Sequence, residues 1–255
     1  MIDSHAHLDD ERFRDDLEAV LGRAREAGVT RILSVGTGLP SCERTVKLAE
    51  EQPHLVSAVV GIDPHQAGEA TPDAMEYLRE LAQAPNVVGL GETGLEYFHN
   101  TAPREVQVGA FEAHVRLALD VDLPLVIHCR DAFPDCLRIL RAHRQPELRG
   151  VAHCFTGGQE EAEAFVELGF CISFSGIVTF PKSGDLRTVA AALPSDRLLI
   201  ETDCPWLAPQ PVRGKRNEPA FLTHVAETMA SVRGESLEET AEMTARNAAA
   251  LFGIM

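Results

Sequence analysis

Short apolar segments alternate with amphipathic segments along the whole chain. The apolar segments begin near Ile2, Arg31, Val56, Val87, Pro124, Gly150, Phe170 and Leu198. Each has the length of a buried strand, and the stretches between them carry apolar residues at helical spacing. After the first segment, Leu17, Val20 and Leu21 recur at that spacing, and Gly28 suits the C-terminal cap of a helix. The pattern predicts eight βα units.

The uninterrupted repetition of this unit indicates one closed parallel barrel. No segment rich in Pro, Gly or Ser and no shift in composition separates the units. We therefore expect an α/β protein, a (β/α)8 TIM barrel, in which residues 1–255 form a single domain. Residues 182–196 leave room for only a short helix, and the chain after Pro219 has enough periodicity for two further helices.

The composition narrows the class of protein. Of the 255 residues, 45% are hydrophobic and 24% are charged, and no apolar run approaches the roughly 20 residues that span a bilayer. The first residues lack the basic and apolar regions of a secretory signal peptide, so we expect a cytoplasmic protein without a membrane anchor. The six cysteines are scattered without a C-x-x-C pair, which is typical of reduced thiols.

Ionisable side chains stand where the apolar segments end. In a (β/α)8 barrel the loops that follow the strands converge on one face and carry the functional groups. Two histidines two positions apart on a strand also point to the same side. The residues that meet these criteria are His5, His7, Glu92, His128, His153 and Asp203.

A metal centre explains this group better than separate structural roles do. Each residue alone has an ordinary reading, such as a hydrogen-bonded histidine or a glutamate that caps a helix. Together, four imidazoles and two carboxylates would repel or desolvate one another unless a cation lay among them. Six ligands exceed what one tetrahedral ion uses, so we expect two divalent ions bridged by Glu92. We interpret the glycines beside Glu92 as room for the approach of these ions.

Cysteines directly follow three of the proposed ligands. Neighbours on a strand face opposite sides, so we expect Cys129 and Cys154 to point towards the helices as structural residues. Cys204 is less constrained because Pro205 follows it.

Six segments of the chain, in register, resemble one protein family. The segments "DSHAHLD", "GETGLEY", "PLVIHCRDA", "HCFTGG", "LLIETDCPWLAP" and "RGKRNEP" occur in the order and spacing of the TatD family of metal-dependent deoxyribonucleases, within the amidohydrolase-like barrels. The resemblance covers essentially the whole chain. It implies a TIM barrel with one metal among His5, His7, Glu92 and Asp203. It implies a second metal among Glu92, His128 and His153.

The same resemblance implies hydrolysis of DNA phosphodiester bonds, often by an exonuclease. The chain departs from the family pattern at two positions. Asp63 replaces the first histidine of the usual G-x-H-P-H segment, so that only His65 remains, and no role of that histidine is carried over. Glu96 replaces an aspartate, and we interpret it as a residue that supports a metal ligand.

The chemistry of the residues agrees with a hydrolytic mechanism. Two divalent ions would lower the pKa of a shared water. Zn, Mn, Ni and Mg are candidates, and histidine-rich ligation favours the transition metals. Asp203 is placed to accept a proton from the water, Glu92 bridges the ions, and Glu201 is expected to orient a ligand histidine.

A small set of cations is expected at the same face. The formal net charge of −16 disfavours a broad electrostatic contact with duplex nucleic acid. We therefore expect DNA to bind as a single strand or through strand ends, with no obligate protein partner. The candidate contacts to its phosphates are His65, Arg130, Arg213, Lys215 and Arg216, although a basic loop such as residues 213–216 is often only solvated.

Two other functions are compatible with a barrel of this kind. An amidohydrolase would keep the barrel and the metals but cleave a C–N or ester bond of a small molecule. Such enzymes often bridge their metals with a modified lysine, whereas this chain offers Glu92. A catalytically silent binding protein is a third possibility, and the intact set of ligands and candidate base disfavours it.

Overall fold

The computed structural model describes residues 1–254, in which eight parallel strands form one sheet in chain order. The strands are β1 (Ile2–Ala6), β2 (Arg31–Val35), β3 (Val56–Val60), β4 (Val87–Glu96), β5 (Leu125–Arg130), β6 (Gly150–Ala152), β7 (Phe170–Phe174) and β8 (Leu198–Ile200). A parallel bridge between Ala6 and Cys204, and a hydrogen bond from Ser4 Oγ to the Ile200 carbonyl, join β1 to the last strand. The predicted (β/α)8 barrel is confirmed.

A helix follows each strand, and one more ends the described part of the chain. The helices are α1 (Leu17–Glu26), α2 (Leu39–Glu51), α3 (Pro72–Leu81), α4 (Arg104–Val121), α5 (Phe133–Ala142), α6 (Gln159–Glu167), α7 (Gly184–Ala192), α8 (Leu222–Arg233) and α9 (Leu237–Phe252). Helix α7 is the predicted short helix, and α8 and α9 are the two helices expected after Pro219. None of the helices in residues 1–254 combines the length and apolar character needed to cross a bilayer.

Helix α9 begins and ends at residues whose chemistry defines these points. The Ser236 hydroxyl accepts a hydrogen bond from the Glu239 amide, and the Glu239 carboxylate accepts one from the Ser236 amide. This reciprocal capping box satisfies two amides that the first helical turn leaves free. At the other end Gly253 adopts a φ of 64°, a left-handed conformation that glycine accepts at little cost.

The face of the barrel at which the strands begin, here called the N-terminal face, is apolar. Ala248 and Phe252 of α9 belong to one buried cluster with interior residues of the strands, namely Leu33, Val59, Val126 and Leu199. Helix α9 therefore covers this face. The ionisable residues of the strands are left to the opposite, C-terminal face.

Strand β4 differs from the prediction. The sequence places Glu92 at the end of its strand, but β4 continues for four more residues to Glu96. The pairing of β4 with β5 shifts register between Leu90 and Thr93, and the Glu92 amide donates to the carbonyl of Gly36 after β2. Such irregularities redirect side chains within a sheet. Here the irregularity directs the Glu92 carboxylate into the barrel.

Candidate metal centre

The six predicted metal ligands converge at the C-terminal face. They come from strands on both sides of the ring. His5 and His7 come from β1 and its end, Glu92 and His128 from β4 and β5, and His153 and Asp203 from just beyond β6 and β8. All four histidines have a ring nitrogen within 4 Å of the Glu92 carboxylate. Asp203 lies within 4 Å of His5 and His7.

One half of the cluster surrounds Oε2 of Glu92. This oxygen lies 3.5 Å from His5 Nε2 and 3.7 Å from His7 Nε2. The two histidine nitrogens are 3.1 Å apart. Asp203 Oδ1 lies 3.5 Å from His7 Nε2 and 3.9 Å from His5 Nε2. Two nitrogens and two carboxylate oxygens thus face a common point.

The other half surrounds Oε1 of Glu92. This oxygen lies 2.8 Å from both His128 Nδ1 and His153 Nε2, and these nitrogens are 3.3 Å apart. The rings of His153 and His5 stack at 3.8 Å, which joins the two halves into one continuous cluster. The two oxygens of Glu92 therefore face two different pairs of histidines.

Hydrogen bonds on the outer side of three imidazoles fix which nitrogen points inward. His7 Nδ1 lies 3.0 Å from the Val35 carbonyl, and His153 Nδ1 lies 3.3 Å from Glu201 Oε1. His128 Nε2 lies 3.2 Å from Glu96 Oε2. We assign the proton of each neutral imidazole to this outer nitrogen, which leaves a lone pair on the inner nitrogen. Glu96 and Glu201 thus hold the supporting positions expected from the sequence.

The donor set fits divalent cations. Inward lone pairs of imidazoles stand 2.8 Å from lone pairs of a buried carboxylate, and such atoms repel unless a proton or a cation lies between them. Two groups within the cluster have ligand atoms within 4.8 Å of one another, namely His5 with Glu92 and His153, and His5 with His7 and Asp203; a third group, His65 with Glu96 and His99, lies beside it. Mixed imidazole and carboxylate ligands suit zinc, manganese, nickel and iron.

The protonation of the cluster shows the same demand for positive charge. Burial alone would raise the pKa of Glu92, but the imidazoles of His153 and His128 hold it well below its ordinary value. Burial alone would lower the pKa of His128, but hydrogen bonds to Glu92 and Glu96 raise it to about 9. When no cation is bound, protonated histidines supply the positive charge beside the Glu92 carboxylate.

The glycines beside Glu92 have a role in the packing of strands. A Cβ on Gly91 would collide with Val126, and one on Gly94 would collide with the backbone of His128. Both glycines also have φ values, 147° and 133°, that other residues rarely adopt. They let β4 lie against β5 at its irregular point, and room for the approach of ions stays a prediction.

Two of the five candidate substrate contacts lie beside the second half of the cluster. The ring of His65 is 6.2 Å from that of His128, and its Nδ1 lies 2.9 Å from Thr101 Oγ1. The guanidinium of Arg130, at the end of β5, lies 4.2 Å from the centre of the Phe98 ring. Their role in binding stays a prediction.

The other three candidates lie in the loop after β8. Arg213 is exposed and stacks on Phe180, and Lys215 is exposed. Arg216 donates to both carboxylate oxygens of Asp16, at 2.9 and 2.7 Å, and its guanidinium lies 4.7 Å from the Phe13 ring. This pairing ties the loop to the start of α1, and a phosphate would compete with Asp16 for Arg216.

The structure gives local roles to Asp63 and Cys154 that the sequence pattern does not predict. Asp63 accepts a hydrogen bond from the Gln66 amide at 3.0 Å and so caps the short 3-10 turn Pro64–Glu69. Burial and the nearby charge of Glu92 raise the pKa of Asp63 to about 7. The alternation argument does not reach Cys154, because β6 already ends at Ala152, and its Sγ lies 3.2 Å from Ser175 Oγ.

The sequence reasoning missed the aromatic residues around the cluster. Trp206 lies edge-on to His7, with ring centres 4.9 Å apart, and 43% of it is exposed. Phe98 is 58% exposed and packs against His99 at 4.8 Å. The available signal was position, since Trp206 follows Asp203 by three residues and Phe98 follows Glu96 by two.

A (β/α)8 barrel with this cluster at its C-terminal face belongs to the class of metal-dependent hydrolases. The family model described as "TatD related DNase" matches residues 2–253. The chain therefore belongs to the TatD family.

Curated relatives match over the full length of the chain. The uncharacterized metal-dependent hydrolase YcfH of Escherichia coli K12 is 42% identical over 257 residues, covering 100% of this chain and 96% of the relative. YabD of Bacillus subtilis, of the same description, is 40% identical and covers 100% and 99%. The 3'-5' ssDNA/RNA exonuclease TatD of Erwinia amylovora is 38% identical and covers 100% of both.

A solved structure of a relative has the same fold as this chain. The crystal structure of YJJV, a TatD homolog from Escherichia coli K12, superposes with a TM-score of 0.94 at 32% identity. The superposition covers 100% of this chain and 98% of the YJJV chain.

Proposed function

We propose that this protein is a two-metal exonuclease that hydrolyses phosphodiester bonds of single-stranded DNA from a strand end. The observation that supports two metals most directly is the geometry of Glu92, whose two oxygens face different histidine pairs. The name of the Erwinia amylovora relative supports single-stranded nucleic acid as the substrate.

In this proposal each half of the cluster would hold one divalent ion. His5, His7 and Asp203 would share one ion with Glu92, and His128 and His153 would share the other with Glu92. When bound, two such ions lower the pKa of water and stabilise negative charge on phosphoryl oxygens. Histidine-rich ligation favours Zn, Mn or Ni as the retained metals over Mg.

Asp203 is proposed as the proton acceptor. Burial alone would raise its pKa, but His7 and His5 hold the pKa below its ordinary value, so the carboxylate is ionised at neutral pH. Its side chain is 13% exposed, against none for His5, so it borders the open side of the cluster. The Asp203 amide donates to the His5 carbonyl at 2.9 Å, which fixes the residue relative to β1.

The charge of the protein supports the preference for strand ends. With a formal net charge of −16, attraction to phosphates depends on local cations, and Arg130, Arg213 and Lys215 are exposed. Long duplex, which needs many phosphate contacts along a surface, is therefore a poor substrate in this proposal. The amidohydrolase alternative is not favoured, because the curated relatives include named nucleases and the bridging position holds Glu92.

A nuclease assay tests the proposal. The purified protein, loaded with Mn²⁺ or Mg²⁺, is incubated with a single-stranded oligonucleotide labelled at its 5′ end, and we expect a ladder of products shortened from the 3′ end. Asp203→Asn should lower the rate by about 10²-fold or more, the usual range for a general base. Glu227→Gln, an exposed change in α8, is the control and should retain the full rate.

Two results would count against parts of this proposal. Undiminished cleavage by Asp203→Asn would remove the assigned proton acceptor but keep the nuclease. No cleavage of single-stranded DNA by the wild-type protein with any of these metals would overturn the proposed function itself.

A further inference from the structure

Exposed aromatic rings stand at the C-terminal face of the barrel. Within residues 1–254, three large apolar side chains are exposed: Phe98 by 58%, Trp206 by 43% and Leu237 by 43%. The two aromatic ones follow β4 and β8 at the face that carries the metal ligands. Aromatic side chains that remain exposed beside a polar site commonly serve binding.

Each ring is linked to one half of the candidate metal centre. Trp206 contacts His7 directly, with ring centres 4.9 Å apart. Phe98 packs on His99 at 4.8 Å, His99 lies 5.6 Å from His65, and His65 lies 6.2 Å from His128. A row of rings therefore leads from each side of the face to the cluster.

The two rings lie on opposite sides of this cluster. The eight strands follow chain order around the ring, so β4 and β8 stand across the barrel from one another. Phe98 extends from the end of β4, and Trp206 lies in the loop after β8. A linear ligand that reaches both rings crosses the face that carries the candidate metal ligands.

An arginine accompanies each ring. The guanidinium of Arg12 lies 4.6 Å from the centre of the Trp206 ring, and that of Arg130 lies 4.2 Å from the centre of the Phe98 ring. A cation over one face of a ring steadies it. Arg130 also provides a charge for a neighbouring phosphate, whereas Arg12 is already paired with Asp10 at 2.8 Å. The exposed remainder of each ring stays open to a planar partner.

Charge alone gives little attraction on the Trp206 side. A groove of about 670 Å³ leads away from His7 and Trp206. Three cations line it, Arg14, Arg44 and Lys47, but so do four carboxylates, Asp9, Asp10, Glu11 and Glu51. Arg44 lies 2.9 Å from an Asp9 oxygen and Lys47 lies 3.7 Å from a Glu51 oxygen. Because these carboxylates compete with phosphate, another interaction must contribute to the binding of a polyanion there.

We infer that Trp206 and Phe98 are two base-stacking platforms that hold a single nucleic-acid strand on either side of the bond at the metal centre. This inference rests on the proposed function and adds to it the recognition of bases in addition to phosphates. Stacking on aromatic side chains tolerates any sequence, because every base has a flat face. A paired base is already stacked within its duplex, so the platforms favour single strands.

Trp206 offers a direct optical test because the chain contains one tryptophan. The metal-loaded protein is titrated with an oligothymidylate whose phosphorothioate linkages resist hydrolysis. A second titration uses an oligomer of the same number of phosphates in which every base is absent. We expect saturable quenching of the fluorescence by oligothymidylate and at least tenfold weaker apparent binding of the abasic oligomer.

Kinetics of variants test both platforms together. Trp206→Ala and Phe98→Ala should each raise the KM for single-stranded oligothymidylate by about 5- to 150-fold, the range measured when one stacking aromatic is removed. The same changes should raise the KM for the abasic oligomer by a much smaller factor, because that oligomer has nothing to stack. Trp206→Phe should recover most of the loss, and Leu237→Ala is the control for removal of an exposed apolar side chain.

The outcomes separate this inference from the proposed function. Equal quenching by both oligomers, or unchanged KM values in both alanine variants, would overturn the inference while cleavage by the wild-type protein upholds the nuclease. If the wild-type protein cleaves neither oligomer, the proposed function fails. The fluorescence titration then still decides whether Trp206 stacks on bases.

Discussion

The two faces of the barrel are built by the same eight strands but use opposite chemistry. On β5, Val126 belongs to the apolar cluster under Phe252, and His128, two residues further on, contacts Glu92. Residues two apart on a strand point to the same side, so the barrel interior changes from apolar to ionisable within one repeat of the strand. The N-terminal face stabilises the fold, and the C-terminal face carries the chemistry.

This division has an energetic meaning. Buried imidazoles and carboxylates are costly to remove from water, whereas the apolar cluster at the other end gains free energy from burial. The comparison predicts that changes at one face alter activity or metal affinity, and that changes at the other alter the free energy of unfolding.

The largest effect is expected for Glu92→Gln. The amide cannot bridge two cations as a carboxylate does, so we expect nuclease activity to fall by about 10³-fold or more, as when a principal electrostatic group is removed. Initial rates on single-stranded DNA measure this loss, with Glu227→Gln as the control. Retention of more than a tenth of the wild-type rate would contradict the bridging role of the Glu92 carboxylate.

Phe252→Ala should have its effect on stability. Deletion of this buried ring from the N-terminal face should lower the free energy of unfolding by about 3–5 kcal/mol. Urea denaturation measures the loss, and the folded variant should keep its wild-type kcat. A fall in kcat without a fall in stability would contradict the assignment of separate roles to the faces.

Glu201→Gln should act on metal affinity. Glu201 is fully buried, lies 3.3 Å from His153 Nδ1 and accepts from the Cys154 amide at 2.7 Å. A less basic partner for His153 should weaken metal binding by about 10- to 100-fold. Titration of the metal-free protein with Mn²⁺ measures the affinity. An unchanged affinity would reduce Glu201 to a structural residue.

His114 is a buried histidine outside the metal centre, and we expect its protonation to change the free energy of unfolding with pH. Its Nε2 accepts from the Ile62 amide at 3.1 Å, its Nδ1 donates to the Ala110 carbonyl at 2.8 Å, and burial lowers its pKa to about 4. The unfolded chain, with a histidine pKa near 6.5, binds the proton first as the pH falls. The stability that neutral His114 contributes is therefore present above about pH 6.5 and is lost as the pH falls towards 4.

The size of this effect is about 2 kcal/mol between pH 7 and pH 5. We expect the stability difference between the wild-type protein and His114→Gln to shrink by this amount over that interval. Urea denaturation of both proteins with EDTA at the two pH values measures it. A difference that stays constant with pH would show that His114 titrates alike in the folded and unfolded states.

The sequence predicts the frame of this molecule well because the frame follows from local periodicity. Seven of the eight strands begin at the expected residue, and β5 begins one residue later, at Leu125. Positions at strand ends also predict the convergence of His5, Glu92 and His153, because the barrel brings those ends together. The spacing of apolar residues therefore predicts both where the strands begin and which residues meet at their ends.

The details that failed depend on contacts between distant segments. The partner of Arg216 is Asp16, 200 residues away, and no local pattern connects them. The shift of register that directs Glu92 inward depends on how Gly91 meets Val126 of the neighbouring strand. Trp206 reaches His7 only because the loop after β8 folds back over β1.

The bridging role of Glu92 is tested most directly by anomalous diffraction from crystals of the protein loaded with Mn²⁺. The account predicts two peaks, one between Oε2 of Glu92 and the His5 and His7 pair, the other between Oε1 and the His128 and His153 pair. A single peak, or two peaks that both lie away from the Glu92 carboxylate, would contradict it.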